Sequence, residues 1–206
     1  QRGRGLGRGQ GLGATTESLC FLTNSVALPL APGPWFITVV NRETNAAPYC
    51  LRATQLTSNS FVRLSNNLAA CSQFPGPLTG TWSDVRYYTF NVASNAIAVN
   101  FEAFNISANG DVNLFVQRDL CLPNFAAFDP ASTNYPYAST NPGANSEWIC
   151  VATNSTPVAL TNGDWFIAVV NRSTNSGPVD YCVRATQVYD TNVTRLTDGV
   201  AQCVAP

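Results

Sequence analysis

The chain has no histidine and no methionine in 206 residues, and only 11% of it is charged. Without histidine, Ser-His-Asp and Cys-His nucleophile pairs are excluded, as is any zinc site that needs an imidazole. The glycines lack a following Gly-Lys-Ser/Thr and a helical pattern, so no phosphate loop is present. Eleven basic residues against twelve acidic ones give a net charge of −1, which leaves no electrostatic footprint for nucleic acid or an anionic membrane. Apolar runs are of strand length, so none is expected to span a bilayer. With so few carboxylates, a pair such as Glu102 and Asp111 is expected to be solvated surface rather than a glycosidase dyad. These absences together predict a protein that is not an enzyme. The lack of Met even at position 1 predicts a processed, exported chain.

What is present in abundance is apolar residues, at 45%, set among Asn, Ser and Thr. The chain also repeats itself. WFITVVNRETN at Trp35–Asn45 returns as WFIAVVNRSTN at Trp165–Asn175, and the correspondence extends from Glu17–Pro48 to Glu147–Pro178 without a gap. After an insertion of Val179 and Asp180, Tyr49–Cys71 matches Tyr181–Cys203. Residues from about Leu78 to Ser146 have no counterpart before Glu17. The expected organisation is an extended Gly/Arg-rich leader over 1–16, an incomplete unit over 17–77 and a complete unit over 78–206.

Alternating apolar residues predict strands. Tyr88, Phe90 and Val92 alternate in one segment, Ile97, Val99, Phe101 and Ala103 in the next, and Val112, Leu114 and Val116 in a third. Tyr181, Val183 and Ala185 alternate in a fourth. In the Trp165 segment both parities are apolar, as they are in its copy at Trp35. No segment of helical length carries a 3.6-residue period, so the fold class is all-β, expected as disulfide-stapled antiparallel sandwich units in tandem.

The order RYYTFNV, GDVNLFVQRDLCLP, SEWICVA, NGDWFIAVVN, YCVRAT resembles the bacterial pre-peptidase C-terminal domain over roughly residues 84–188, and its back half recurs over 17–56. The markers are Asp111, Val112 and Leu114 in one strand and Gly163, Trp165 and Phe166 in another. That resemblance implies a compact, jelly-roll-like sandwich carried by exported proteins; it implies no activity.

Seven cysteines in a weakly charged strand-rich chain point to an oxidising compartment. Cys50 and Cys71 share their spacing with Cys182 and Cys203, which predicts the bridges Cys50–Cys71 and Cys182–Cys203. Cys121 and Cys150 form the natural third pair, leaving Cys20 as a buried free thiol or a partner in trans. Sequons at Asn105, Asn154, Asn171 and Asn192 would carry N-glycans in a eukaryotic secreted protein. Asp111 and Asp129 are oxygen donors in loops that could meet Ca²⁺, but turn formation explains both without a metal. No other cofactor is expected. Trp82, Tyr135 and Tyr137 are aromatics that could stack on sugar rings, though such residues are more often core.

Half a sandwich leaves apolar faces and unpaired backbone groups that something must cover. The leader alternates glycine (Gly5, Gly7, Gly9, Gly11, Gly13) with larger residues that include Leu6 and Leu12. Such a strand can lie close to another backbone and complete a sheet. With Trp35, Ile37 and Val39 as the apolar face to be covered, the first functional expectation is a secreted subunit that polymerises head to tail with itself. The alternative is a carbohydrate- or matrix-binding module of a secreted protein.

Overall fold

In the computed structural model the described residues are 19, 21–23, 25, 28–42, 44–49, 51, 53, 55–77, 84–118, 136–193 and 198. The chain divides into two compact units, Gln1–Ser60 and Phe61–Pro206.

The second unit is a β-sandwich. Its strands in chain order are β1 (Phe61–Arg63), β2 (Ala70–Phe74), β3 (Val85–Val92), β4 (Ala96–Phe104), β5 (Val112–Gln117), β6 (Tyr137–Ser139), β7 (Glu147–Ala152), β8 (Gly163–Asn171) and β9 (Val179–Tyr189). One sheet runs β1-β3-β8-β5-β6 and the other β2-β9-β4-β7. Every pairing is antiparallel except β1 with β3. The all-β sandwich expected from the alternation is the fold observed.

Side-chain parity sets the core. Tyr88, Phe90 and Val92 of β3, Val112, Leu114 and Val116 of β5, and Tyr181, Val183 and Ala185 of β9 all face inward and are buried. The alternation fails at one point. A register shift between Ala96 and Ala98 places Ala96 in the core and leaves Ile97 only half-buried. An extra residue in one strand of a ladder reverses the parity beyond it, so the pattern starting at Ile97 reads correctly only from Val99 onward.

β8 is the central strand of its sheet, between β3 and β5, and both its faces are covered, since Ala168 and Val170 on one side are as buried as Ile167 and Val169 on the other. Trp165, Ile167 and Val169 point into the core, where Trp165 lies beside Phe101 at 6.3 Å between ring centroids. Phe166, on the opposite face, meets Phe61 of β1 edge-on at 5.5 Å, and Phe61 also packs on Tyr87. Across the interior the hydroxyls of Tyr88 and Tyr181 share a 2.9 Å hydrogen bond that ties the two sheets together. Burial raises the pKa of both phenols, so neither ionises near neutral pH.

The turn before β5 is held by close approach. A Cβ on Gly110 would meet Val179 Cγ1 at 2.6 Å and Ile106 Cγ2 at 2.8 Å, so only glycine fits. Asn109 donates to Pro178 O, and Asn109 O accepts from Ser173 Oγ at 2.8 Å, fastening this turn to the loop between β8 and β9.

The expected boundary near residue 77 is displaced. Segment 61–77 builds into the second unit rather than closing the first. β1 adds to β3 and β2 to β9, and Leu64 and Phe74 enter the core. Leu64 N donates to Thr89 O and Asn67 N to Ala185 O, so the connection between β1 and β2 is bonded to both sheets. A short unit gains more by burying Phe74 in a complete core than by folding back on an incomplete one.

One buried charge is conspicuous. Glu147 is fully buried, accepts a hydrogen bond from Ser139 Oγ through Oε2, and has no partner for Oε1 among the described residues. Burial raises its carboxyl above the usual range, against the lowering effect of Ser139 and the Asn141 backbone, and the Asp111 charge adds to the rise. A raised folded-state pKa means that the stabilising contribution is complete below the unfolded value, about 4.3, and is lost as pH climbs through the folded value. Glu147→Gln is therefore expected to flatten the decline in stability above about pH 4.3. Urea midpoints taken from acid to neutral pH check this; an equally steep decline in the variant sinks it.

Candidate functional site

The first unit contains the same local framework as the β7–β8 connection, without the strands that surround it. Ala152 N donates to Ser155 Oγ at 2.8 Å in the sandwich, and Leu22 N donates to Ser25 Oγ at 2.8 Å in the first unit. Leu160 N bonds Ala152 O at 2.9 Å, and Leu30 N bonds Leu22 O at 2.8 Å. Trp165 Nε1 donates to Thr161 O at 2.9 Å, and Trp35 Nε1 donates to Ala31 O at 3.0 Å. Gly163 and Gly33 both take positive φ, at 102° and 129°, which permits the sharp entry into the following extended stretch. Phe21 packs on Trp35 at 5.1 Å.

Surroundings separate the two copies. Trp165 and Ile167 are fully buried, whereas Trp35 is 39% exposed, Ile37 51% and Phe36 92%. Val39, Val40, Tyr49 and Leu51 are exposed as well. Residues 34–42 carry no strand pairing, although they were expected to form one. The reason is topological: β8 is a strand because β3 and β5 flank it, and residues 1–60 contain no sequence corresponding to either. An extended segment without a ladder partner leaves its backbone groups and side chains in water. Trp35, Ile37 and Val39, named from sequence, thus come together on an exposed apolar stretch. Phe36 and Val40 extend it along the chain, and Tyr49 and Leu51 are exposed farther on; the counterparts of Val40, Tyr49 and Leu51, which are Val170, Tyr181 and Val183, are buried in the second copy, while Phe166, the counterpart of Phe36, is half-buried.

The cysteine pairing differs from expectation. Cys71 is bonded to Cys182, its direct cross-strand neighbour in the β2–β9 ladder, with Cα atoms 3.9 Å apart. Cys50–Cys71 and Cys182–Cys203 are therefore both replaced. The spacing argument assumed that each tail folds back on its own repeat, whereas β2 pairs with β9 of the next one. Cys150 carries a free, exposed thiol on the outer face of β7, which corrects its assignment to a bridge. Cys20, Cys50, Cys121 and Cys203 lie outside the described residues, as do Gly5, Leu6, Gly7, Gly9, Gly11, Leu12 and Gly13 of the leader.

Two of the four sequons are presented to solvent: Asn105, which sits at positive φ, and Asn154 in the turn after β7. Asn171 is not available. Its side chain is buried, its Nδ2 donates to Gly76 O at 2.9 Å and its Oδ1 accepts from Ser173 N, because the 61–77 segment covers it. The side chain of Asn192 lies outside the described residues. Tyr137 is no free platform, since its hydroxyl donates to Val158 O and accepts from Val158 N. Trp82 and Tyr135 lie outside the described residues, and so does Asp129. Among the described residues Asp111 Oδ1 is buried without a hydrogen-bond partner, and no three metal-capable side chains gather around a common point. Glu102 is not free surface: it receives Arg184 Nε and Nη2 at 2.8 Å across the β4–β9 ladder.

No family model and no curated protein matches the chain. Solved structures similar to it include the pre-peptidase C-terminal domain of collagenase from Bacillus anthracis, at 15% identity and a TM-score of 0.41 over 61% of this chain and 94% of that one. Another is PliG of Aeromonas hydrophila, a periplasmic inhibitor of g-type lysozyme, at 11% identity and a TM-score of 0.33 over 62% of this chain and 96% of that one. These are likenesses of a β-sandwich fold.

Proposed function

We propose that this chain is a secreted, non-catalytic structural subunit that assembles head to tail with copies of itself into an extracellular filament. The observation that carries the reading is the contrast between twin stretches. The turn leading into Trp35 keeps the hydrogen bonds of the turn leading into Trp165, yet Trp35, Ile37 and Val39 are exposed where Trp165, Ile167 and Val169 are buried. A contiguous exposed apolar surface of this kind marks an interaction site. Strands supplied by another copy complete such a half-sandwich by β-augmentation. Because the donor and receiver surfaces differ, the contact is heterologous and propagates unless it closes. A disulfide, exposed sequons at Asn105 and Asn154 and a low charge suit an extracellular setting.

Negative-stain microscopy of the protein tests the reading. Long filaments are expected from the unaltered chain. Trp35→Asp combined with Val39→Asp should abolish them while the circular dichroism of the second unit is retained. Uniform monomers from the unaltered chain at micromolar concentration contradict the reading.

A further inference from the structure

Strands β3, β4 and β5 have two near-identical partners available in one chain, and they pair with the second: β3 and β5 flank β8, and β4 adds to β9. Between the stretches Trp35–Asn45 and Trp165–Asn175 only two positions differ, where Thr38 stands for Ala168 and Glu43 for Ser173. Farther on, the first copy runs from Pro48 directly to Tyr49, whereas the second inserts Val179 and Asp180 between Pro178 and Tyr181. The apolar residues that β3 and β5 cover in β8 are thus repeated in the first copy, so their burial alone does not tell the copies apart.

The remaining differences converge on one turn, Ser107–Gly110, between β4 and β5. Ser173 is 2% exposed, and its Oγ donates to Asn109 O at 2.8 Å. Glutamate in that place would set a buried carboxylate, which only accepts, against a carbonyl oxygen, which also only accepts. Val179 is fully buried, and its Cγ1 lies 2.6 Å from where a Cβ on Gly110 would stand. Asp180 holds the turn from its other end: Ser107 N donates to Asp180 O at 3.0 Å, and Asp180 N donates to Ser107 Oγ at 3.2 Å. The first copy has no residue for either of these two places.

We infer that the Ser107–Gly110 turn selects which copy its strands complete: it accepts Ser173, Val179 and Asp180, and it rejects a copy that carries Glu43 and lacks the two inserted residues. Specificity of this kind is a difference between two free energies. Here it is set by polar groups left unpaired on the refused copy, not by better apolar contacts on the accepted one. Without it, β3, β4 and β5 would be shared between two acceptors, in the same chain or in neighbouring ones. The inference goes beyond the assembly reading and narrows it. The strands that another copy supplies to Trp35–Asn41 come from outside its own β3–β5 segment.

The test exchanges the selecting residues between the copies in the full chain and follows amide hydrogen exchange by mass spectrometry. It is run on the monomeric fraction, so its result does not depend on whether filaments form. The exchanged chain carries Glu43→Ser and a Val-Asp insertion after Pro48, together with Ser173→Glu and deletion of Val179 and Asp180. Thr38→Ala removes the other difference between the two stretches. In the unaltered chain, 164–171 is expected to be protected and 34–41 to exchange at least about 100-fold faster. In the exchanged chain that order is expected to reverse, with β3 and β5 still protected. Protection that stays on 164–171, or that disappears from β3 and β5, overturns the inference. Ser173→Glu alone is expected to lower the urea midpoint by about 1 M, and a midpoint within about 0.2 M of the parent overturns it as well.

Discussion

Trp165→Ala is expected to destabilise the sandwich by about 3–5 kcal/mol, while Trp35→Ala changes the stability of the monomer by no more than about 0.5 kcal/mol. The two residues occupy matching positions in nearly identical stretches, so local propensity is the same for both. Trp165 is fully buried among Phe101 and the other inward residues, and removing its ring leaves a cavity in a packed core. Trp35 retains its indole hydrogen bond to Ala31 O and its contact with Phe21, but it is partly in water and has no flanking strands. Its substitution should act on assembly instead. Urea unfolding of the monomeric fraction, followed by tryptophan fluorescence and circular dichroism, measures both effects. Equal losses from the two variants would falsify the claim that only the second copy sits in a completed core.

Removing the Cys71–Cys182 bridge, as Cys71→Ser with Cys182→Ser, is expected to cost about 4–5 kcal/mol, the value for closing a loop of ~100 residues in the unfolded chain. The bonded residues are separated by 111 positions, so the bridge restricts most of the sandwich when it is unfolded. It also fastens β2, and through β2 the core residue Phe74, to β9. The check is the urea midpoint of the double variant against the parent under oxidising conditions, with both expressed as monomers. A loss smaller than about 1 kcal/mol would show that the ladder and the burial of Phe74 already hold the tail in place. Loss of this bridge should also expose Asn171, because 61–77 is the segment that covers it.

Much of the fold was legible in the residues. Period-two alternation identified β3, β5 and β9 together with their inward faces, because a half-buried strand must place apolar groups at every second position. The Trp165 segment, apolar at both parities, is a strand with buried residues on both faces. The bulge at Ala96–Ala98 was not legible, since an inserted residue changes parity without changing composition. Neither was the burial of Asn171. A sequon is read from three residues, whereas the acceptor for the Asn171 amide comes from Gly76, far away in the chain.

Within the candidate site the division is sharper. The sequence by itself determined that one stretch is written twice, that nothing in residues 1–60 corresponds to the segments that flank the second copy, and that these 206 residues offer no histidine. Only the tertiary structure decided where the tail of the first repeat goes. Spacing records the distance along the chain between Cys50 and Cys71, and the fold-back it implied was sterically reasonable. The choice between β9 and the first repeat's own strand depends on which edge belongs to a finished core, and that is settled by long-range burial of Leu64 and Phe74. Cys71 pairs with Cys182 because non-local packing brings those Cα atoms together, a cause that spacing between neighbouring cysteines does not contain.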